Sequence, residues 1–116
     1  WVPPPAHIGD AWQALDLHVM ASPEEGFSLV VTEALMAGVP TVATRVGIVP
    51  DILARWGKLV VPVDTNPTGE QLADAAELAL FEGHRPNVTR ARQVVWEEFT
   101  AARMGARWGA FLEGIA

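Results

Sequence analysis

At 116 residues the chain can form one domain around a single hydrophobic core and is too short for two ordinary ones. Half of its residues are hydrophobic and 19% are charged, enough apolar surface to offset the entropy of ordering, which excludes a disordered chain. A net charge of −6 gives no basic footprint for nucleic acid or an anionic lipid surface, and the lack of cysteine excludes disulfides, thiolate metal sites and a cysteine nucleophile.

The chain opens at Trp1, and Val2-Pro3-Pro4-Pro5 reads as an extended lead-in to what we expect to be a cut end. Ile8, Ala11, Trp12 and Leu15 recur at helical spacing, which predicts a short amphipathic helix from about Pro5 to Leu15. Leu17 to Ala21 is a short apolar run closed by Ser22-Pro23, as in a buried strand. After a turn at Glu24 to Phe27, Ser28 to Ala37 is almost wholly apolar and stops at Gly38 and Pro40, which predicts a buried helix.

Thr41 to Thr44 reads as a second strand, Gly47 and Pro50 as a turn into a brief helix through Leu53 and Ala54, and Leu59 to Val61 as a third strand ended by Pro62. Thr68 can cap a helix through about Glu82, with Leu72, Ala75, Ala76 and Ala79 on one face. Two further helices follow, the last carrying an apolar stripe of Met104, Trp108, Phe111, Leu112 and Ile115 with Arg103 and Arg107 off it.

This order predicts an α/β fold: a partial Rossmann-like parallel sheet of about three strands, helices on both faces and a helical C-terminal tail. So small a parallel sheet is normally flanked by other strands, and Leu17 to Ala21 is the strand expected to lack a neighbour. Its open edge predicts self-association. No stretch reaches the roughly 18 apolar residues of a membrane span, and no export signal opens the sequence, so a cytoplasmic location is expected.

The candidate site lies between Ser22 and Gly38. Glu33 is the single charge on its helix, and an unpaired buried carboxylate is costly, so it must reach solvent or bind a group with hydroxyl donors. In open α/β sheets ligands bind beyond the carboxyl ends of the strands, where the start of this helix falls. The free amides around Gly26, Phe27, Ser28 and Leu29, backed by the helix dipole, suit a phosphate. Glu25, in the same loop, would repel a diphosphate unless directed to an uncharged group such as a sugar hydroxyl. Three adjacent subsites follow: sugar at Glu25, diphosphate at the amides and ribose at Glu33.

The run Ser22-Pro23-Glu24-Glu25-Gly26-Phe27-Ser28-Leu29, continued by Glu33-Ala34-Leu35-Met36-Ala37-Gly38-Val39-Pro40-Thr41-Val42-Ala43, resembles the Glu-x7-Glu segment of retaining GT-B glycosyltransferases of the family-four type. The resemblance implies that residues 1–116 are one partial nucleotide-sugar-binding domain, the second half of a GT-B C-terminal domain, without the N-terminal acceptor domain. It implies that Glu33 holds the nucleotide ribose, that Glu25, the candidate catalytic residue, contacts the donor sugar, and that the Gly26 to Leu29 backbone meets the diphosphate. The implied partner is a nucleotide-diphosphate sugar, with no cofactor and no protein-bound metal. The reaction implied for the whole protein is sugar transfer to an acceptor hydroxyl with retention, the chain alone being inactive.

Val46 to Leu53 continues the likeness, but Ile48 and Asp51 stand where the family usually has a glycine and a glutamate. The family's diphosphate is neutralised by an Arg and a Lys from the earlier half of the domain, and Arg45, Arg55 and Lys58 are assigned no such role here. Weak nucleotide affinity follows, since charges would be desolvated unpaired.

Other residues carry plainer expectations. His18 reads as a hydrogen-bonded core histidine, His7 and His84 as surface residues, and the three lack the spacing of metal ligands. Asn87-Val88-Thr89 matches a glycosylation acceptor by chance, and Arg85, Arg90, Arg92, Arg103 and Arg107 read as a solvated helical face. Two other classes are weighed: a non-catalytic nucleotide-binding or assembly module that completes its sheet with a partner, and a dinucleotide-dependent α/β enzyme. No Gly-x-Gly-x-x-Gly follows any predicted strand, which counts against the last.

Overall fold

Three parallel strands in the order β1-β2-β3 form the sheet of the computed structural model, which describes residues 7–81 and 86–115. The elements are α1 (Ile8–Gln13), β1 (His18–Met20), α2 (Leu29–Ala37), β2 (Thr41–Thr44), α3 (Val49–Trp56), β3 (Val61–Val63), α4 (Gly69–Leu80), α5 (Val88–Glu98) and α6 (Ala101–Gly114). The α/β class and the parallel sheet are as the sequence predicts. The proline-rich lead-in, the end of the helix expected to reach Glu82, His84 and Arg85 lie outside the described residues.

Strand alternation divides the core in two. Met20 and Ala43 point to one face, where they meet Val31 and Leu35 of α2, Val49 and Ile52 of α3, and Ala91, Val94 and Val95 of α5. Val42 and Val63 point to the other, where Ala75 and Ala79 of α4 cover them. Helices therefore flank both faces. β2 is buried along its whole length, as the central strand of a covered parallel sheet must be.

Local signals set most of the boundaries. Gly38 ends α2 in the left-handed conformation with φ 79°, where only glycine is free of a side-chain penalty. Thr68 starts α4 with a full capping box: its hydroxyl accepts from the Gln71 amide at 3.2 Å, while the Gln71 side chain accepts from the Thr68 amide at 2.8 Å.

Two expectations are corrected. The third strand runs over Val61–Val63, not Leu59 to Val61, and Pro62 lies inside it. Proline is tolerated because, among the described residues, β3 is bonded on one side only, to β2, so the missing N–H can fall on the free edge. Leu59 and Val60 are buried all the same, in the core beside α3 and α5. Arg107 is more than part of a solvated face: it pairs with the Glu98 carboxylate and donates to the Glu98 carbonyl at 3.2 Å, tying α6 to the end of α5. No α6 residue is buried, and its apolar stripe of Met104, Trp108, Phe111, Leu112 and Ile115 lies open.

Among the described residues β1 has one bonded neighbour. The His18 amide donates to the Pro40 carbonyl, so alternation directs the peptide groups of Val19 to the free side. The Val19 side chain is in register with Val42 on the face that α4 covers over β2 and β3, and it is 43% exposed. The open edge predicts that the chain alone runs larger than a monomer in light scattering, and that Val19→Lys, which places a charge on that edge, returns it to monomer. A wild-type chain that is sharply monomeric would contradict this.

Candidate functional site

The loop from Ser22 to Ser28 lies beyond the carboxyl end of β1 and is held by the end of β2 and the turn that follows it. The Thr44 hydroxyl, at the end of β2, donates to the Ser22 carbonyl at 2.6 Å, and the Ile48 amide donates to the Phe27 carbonyl at 2.9 Å. Gly47 makes the second attachment possible. It has φ 55°, and a Cβ there would sit 2.4 Å from Ser28 Oγ and 2.8 Å from the Phe27 carbonyl oxygen. The turn after β2 can press against the loop only because residue 47 has no side chain.

Ser28 adopts the left-handed conformation (φ 76°, ψ 65°) and is the only non-glycine residue with positive φ among those described. A serine before a helix normally caps it, but here the hydroxyl is buried against Gly47 and has no partner among the described residues. The backbone turns with it. The Val31 amide bonds to the Ser28 carbonyl at 3.1 Å, while the amides of Gly26, Phe27, Ser28 and Leu29 donate to no backbone carbonyl among the described residues. Free amides at a helix start, ahead of the positive end of the dipole, form a set of donors suited to an anion.

Two grooves meet at the first turn of α2, where both are lined by Leu29 and Thr32. One, of about 840 Å³, is almost wholly apolar and runs between Phe27, Leu29 and Ile48 on one side and Met104, Trp108 and Phe111 of α6 on the other, with Arg55 and Arg107 also in its wall. The ring of Phe27 stands edge-on to Phe99 at 5.9 Å, and Phe99 to Trp56 at 5.6 Å, so the loop is held by aromatic packing as well as by hydrogen bonds. The other groove, of about 790 Å³, runs over α2 between α1 and α5. Ile8, Trp12, Leu29, Glu33, Met36 and Arg92 are among its lining residues.

The predicted site residues are distributed as follows. Glu33 is exposed and lines the second groove, Phe27 lines the first, and Leu29 lines both. Glu25 and Gly26 are exposed on the loop and line neither groove, and Ser28 is buried behind it. Asp51 is exposed in the first turn of α3, and Arg45 and Lys58 are exposed as well. Among the described residues no group of three or more His, Asp or Glu side chains converges as metal ligands would.

Three residues of these grooves went unassigned by sequence reasoning. Trp12 donates its indole N–H to Glu33 Oε2 at 3.2 Å across 21 residues of chain. Arg92, expected on a solvated face, lines the same groove as Glu33 and brings a positive charge to it. Arg55 lies 5.3 Å over the Trp56 ring, within cation–π range. Helical spacing places Trp12 and Arg92 each on a face, but only the packing of α1 and α5 against α2 brings those faces to Glu33.

His18 also departs from expectation. It is half-buried, its Nδ1 has no hydrogen-bond partner among the described residues, and the Trp12 ring stands edge-on to it at 5.2 Å. Burial holds its pKa below the ordinary 6.5, because the protein interior disfavours the charged imidazole.

Comparison with known proteins places the chain in a family. The family described as "Glycosyl transferases group 1" matches residues 1–81. The chain is 34% identical over 95 residues to the N-acetyl-alpha-D-glucosaminyl L-malate synthase of Bacillus anthracis, covering 80% of this chain and 24% of that protein. It is also 34% identical over 117 aligned positions to the D-inositol 3-phosphate glycosyltransferase of Segniliparus rotundus, covering 97% of this chain and 26% of that protein. The chain thus spans about a quarter of the length of the curated relatives it matches.

Two predictions follow from the site's construction. Gly47→Ala adds a methyl group at a positive φ and against the Phe27–Ser28 backbone, and should cost about 3 kcal/mol in chemical denaturation. For His18 the folded state favours the neutral form, so the unfolded chain takes up a proton first as pH falls. Stability present above pH 6.5 is therefore lost as pH drops below that value toward the lower folded-state pKa. The thermal midpoint should decline through that window, and His18→Phe should flatten the decline.

Proposed function

Since the chain belongs to the group 1 glycosyl transferases, we propose that it forms part of the donor site of a retaining transferase and binds a nucleotide-diphosphate sugar. The observation that carries this reading is the helix start of α2, where unpartnered amides stand a little over one turn from a carboxylate that lines a groove. In this reading Glu33 accepts hydrogen bonds from ribose hydroxyls, the amides of Gly26 to Leu29 receive the diphosphate, and Glu25 meets the donor sugar. Its free amides and exposed Glu25 lie on one short loop, which keeps the sugar beside the leaving diphosphate.

The chemistry asked of these groups is positioning and charge stabilisation. As the bond between sugar and diphosphate breaks, negative charge grows on the leaving oxygens, and amides already oriented toward them need no reorganisation. Glu25 is the candidate catalytic residue of this reading, contacting the sugar, and no side chain of the chain is assigned as a covalent nucleophile. No bound metal or cofactor is invoked. The sugar transfer itself belongs to the whole protein, with an acceptor hydroxyl bound outside this chain, and the reading places it in the cytoplasm. Among the described residues, no helix is long and apolar enough to cross a membrane.

A second reading, a nucleotide-binding or assembly module that completes its sheet with another chain, is favoured by the free edge of β1 and the exposed Val19.

Titration of the chain with nucleoside diphosphates, followed by amide resonances, tests the first reading. Glu33→Ala should weaken binding by at least about ten-fold, the loss expected for hydrogen bonds to a charged acceptor. Glu25→Ala should weaken binding of the matching nucleotide sugar and leave the nucleoside diphosphate unchanged. Equal affinity of wild type and Glu33→Ala for every nucleotide would remove the ribose assignment.

A further inference from the structure

Glu33 is not free to turn as an isolated surface carboxylate. Its Oε2 accepts the Trp12 indole N–H at 3.2 Å, and the Trp12 ring is in turn set edge-on against His18 at 5.2 Å and 88°. His18 belongs to β1, so the contacts run from the sheet through an aromatic pair to one oxygen of the carboxylate. An indole N–H is a donor only and never an acceptor, so it can hold a carboxylate but cannot compete with it for a ligand's hydroxyl. The second oxygen, Oε1, and the remaining lone pair of Oε2 stay available to hydroxyl donors in the groove that Trp12 and Glu33 line together.

We propose that Trp12 is a positioning residue for Glu33: by holding Oε2 it orders the carboxylate before ligand arrives, so that recognition of a ribose diol depends on the indole N–H. This rests on the reading of Glu33 as the ribose-binding acid. A glutamate side chain otherwise loses much of its rotamer freedom on binding, and ordering it in advance removes that loss from the binding step. α1 has no buried residue and no side-chain cap, so a purely structural role for Trp12, fastening α1 to the sheet, is the competing account. The two differ in what the N–H does. Fastening needs the ring against His18, whereas positioning needs the hydrogen bond.

Trp12→Phe separates them, since it retains a ring against His18 and removes the donor. The chain is titrated with ADP, GDP, UDP and CDP and with the dideoxy form of each, which lacks both ribose hydroxyls, and the ratio of the two affinities is read for the tightest binder. In Trp12→Phe the ratio should fall about three- to ten-fold, one hydrogen bond's worth, with the thermal midpoint unchanged. Combined with Glu33→Ala it should produce no further fall, because both changes act on one carboxylate. The Trp12 indole N–H resonance, identified by its loss in Trp12→Phe, should move when the ribonucleotide is added and stay still with the dideoxy form.

If Glu33→Ala lowers the ratio and Trp12→Phe does not, Trp12 only fastens α1 and the inference is overturned while the ribose reading stands. If neither variant changes the ratio, or no nucleotide binds, the ribose reading fails and the inference with it.

Discussion

The close approach of Gly47 to the backbone of Phe27 and Ser28 is the contact on which the site depends. It brings the turn after β2 against the loop after β1, and the Ile48 amide then fixes the Phe27 carbonyl. With that carbonyl held, Ser28 is driven into the left-handed region and its hydroxyl is trapped beneath the turn. A strained residue with an unpartnered polar atom persists only where its surroundings over-determine it, and here the surroundings are two strand ends, a glycine and an aromatic pair. The result is a helix that begins with its amides bare.

That bare start and the carboxylate of Glu33 belong to one helix but to different surroundings. The amides belong to the loop and the first residue of α2, whereas Glu33 lies along the groove between α1 and α5, bonded to Trp12 and lining the same groove as Arg92. Desolvation is not what distinguishes this acid, for it is exposed, and Leu29 and Val30 on the same helix are exposed too. The buried stripe of α2 is Val31, Thr32, Ala34 and Leu35, which packs on the sheet and on α5. Glu33 owes its place to being opposite that stripe and next to a tryptophan.

Much apolar surface is left uncovered on several elements, and two parts of it concern the sheet and the site. Val19 lies over the β1 half of one sheet face, and the α6 stripe forms one wall of the groove beside Phe27. The same chain spans about a quarter of each curated relative it matches.

The sequence by itself determined the order of elements, the parallel α/β class, the helix stop at Gly38, the cap at Thr68 and the loop in which Glu25 and the free amides lie. These are matters of periodicity, capping chemistry and backbone freedom, which act over a few residues. What only the tertiary structure decided are relations between distant positions: Pro62 inside β3 because that strand is an edge, Ser28 twisted by Gly47 nineteen residues on, Trp12 joined to Glu33 across 21, and Arg92 brought into the same groove. No local propensity encodes these pairings. They arise when helices on one face of a sheet must share the space above it, and side chains that are silent in sequence become neighbours by packing.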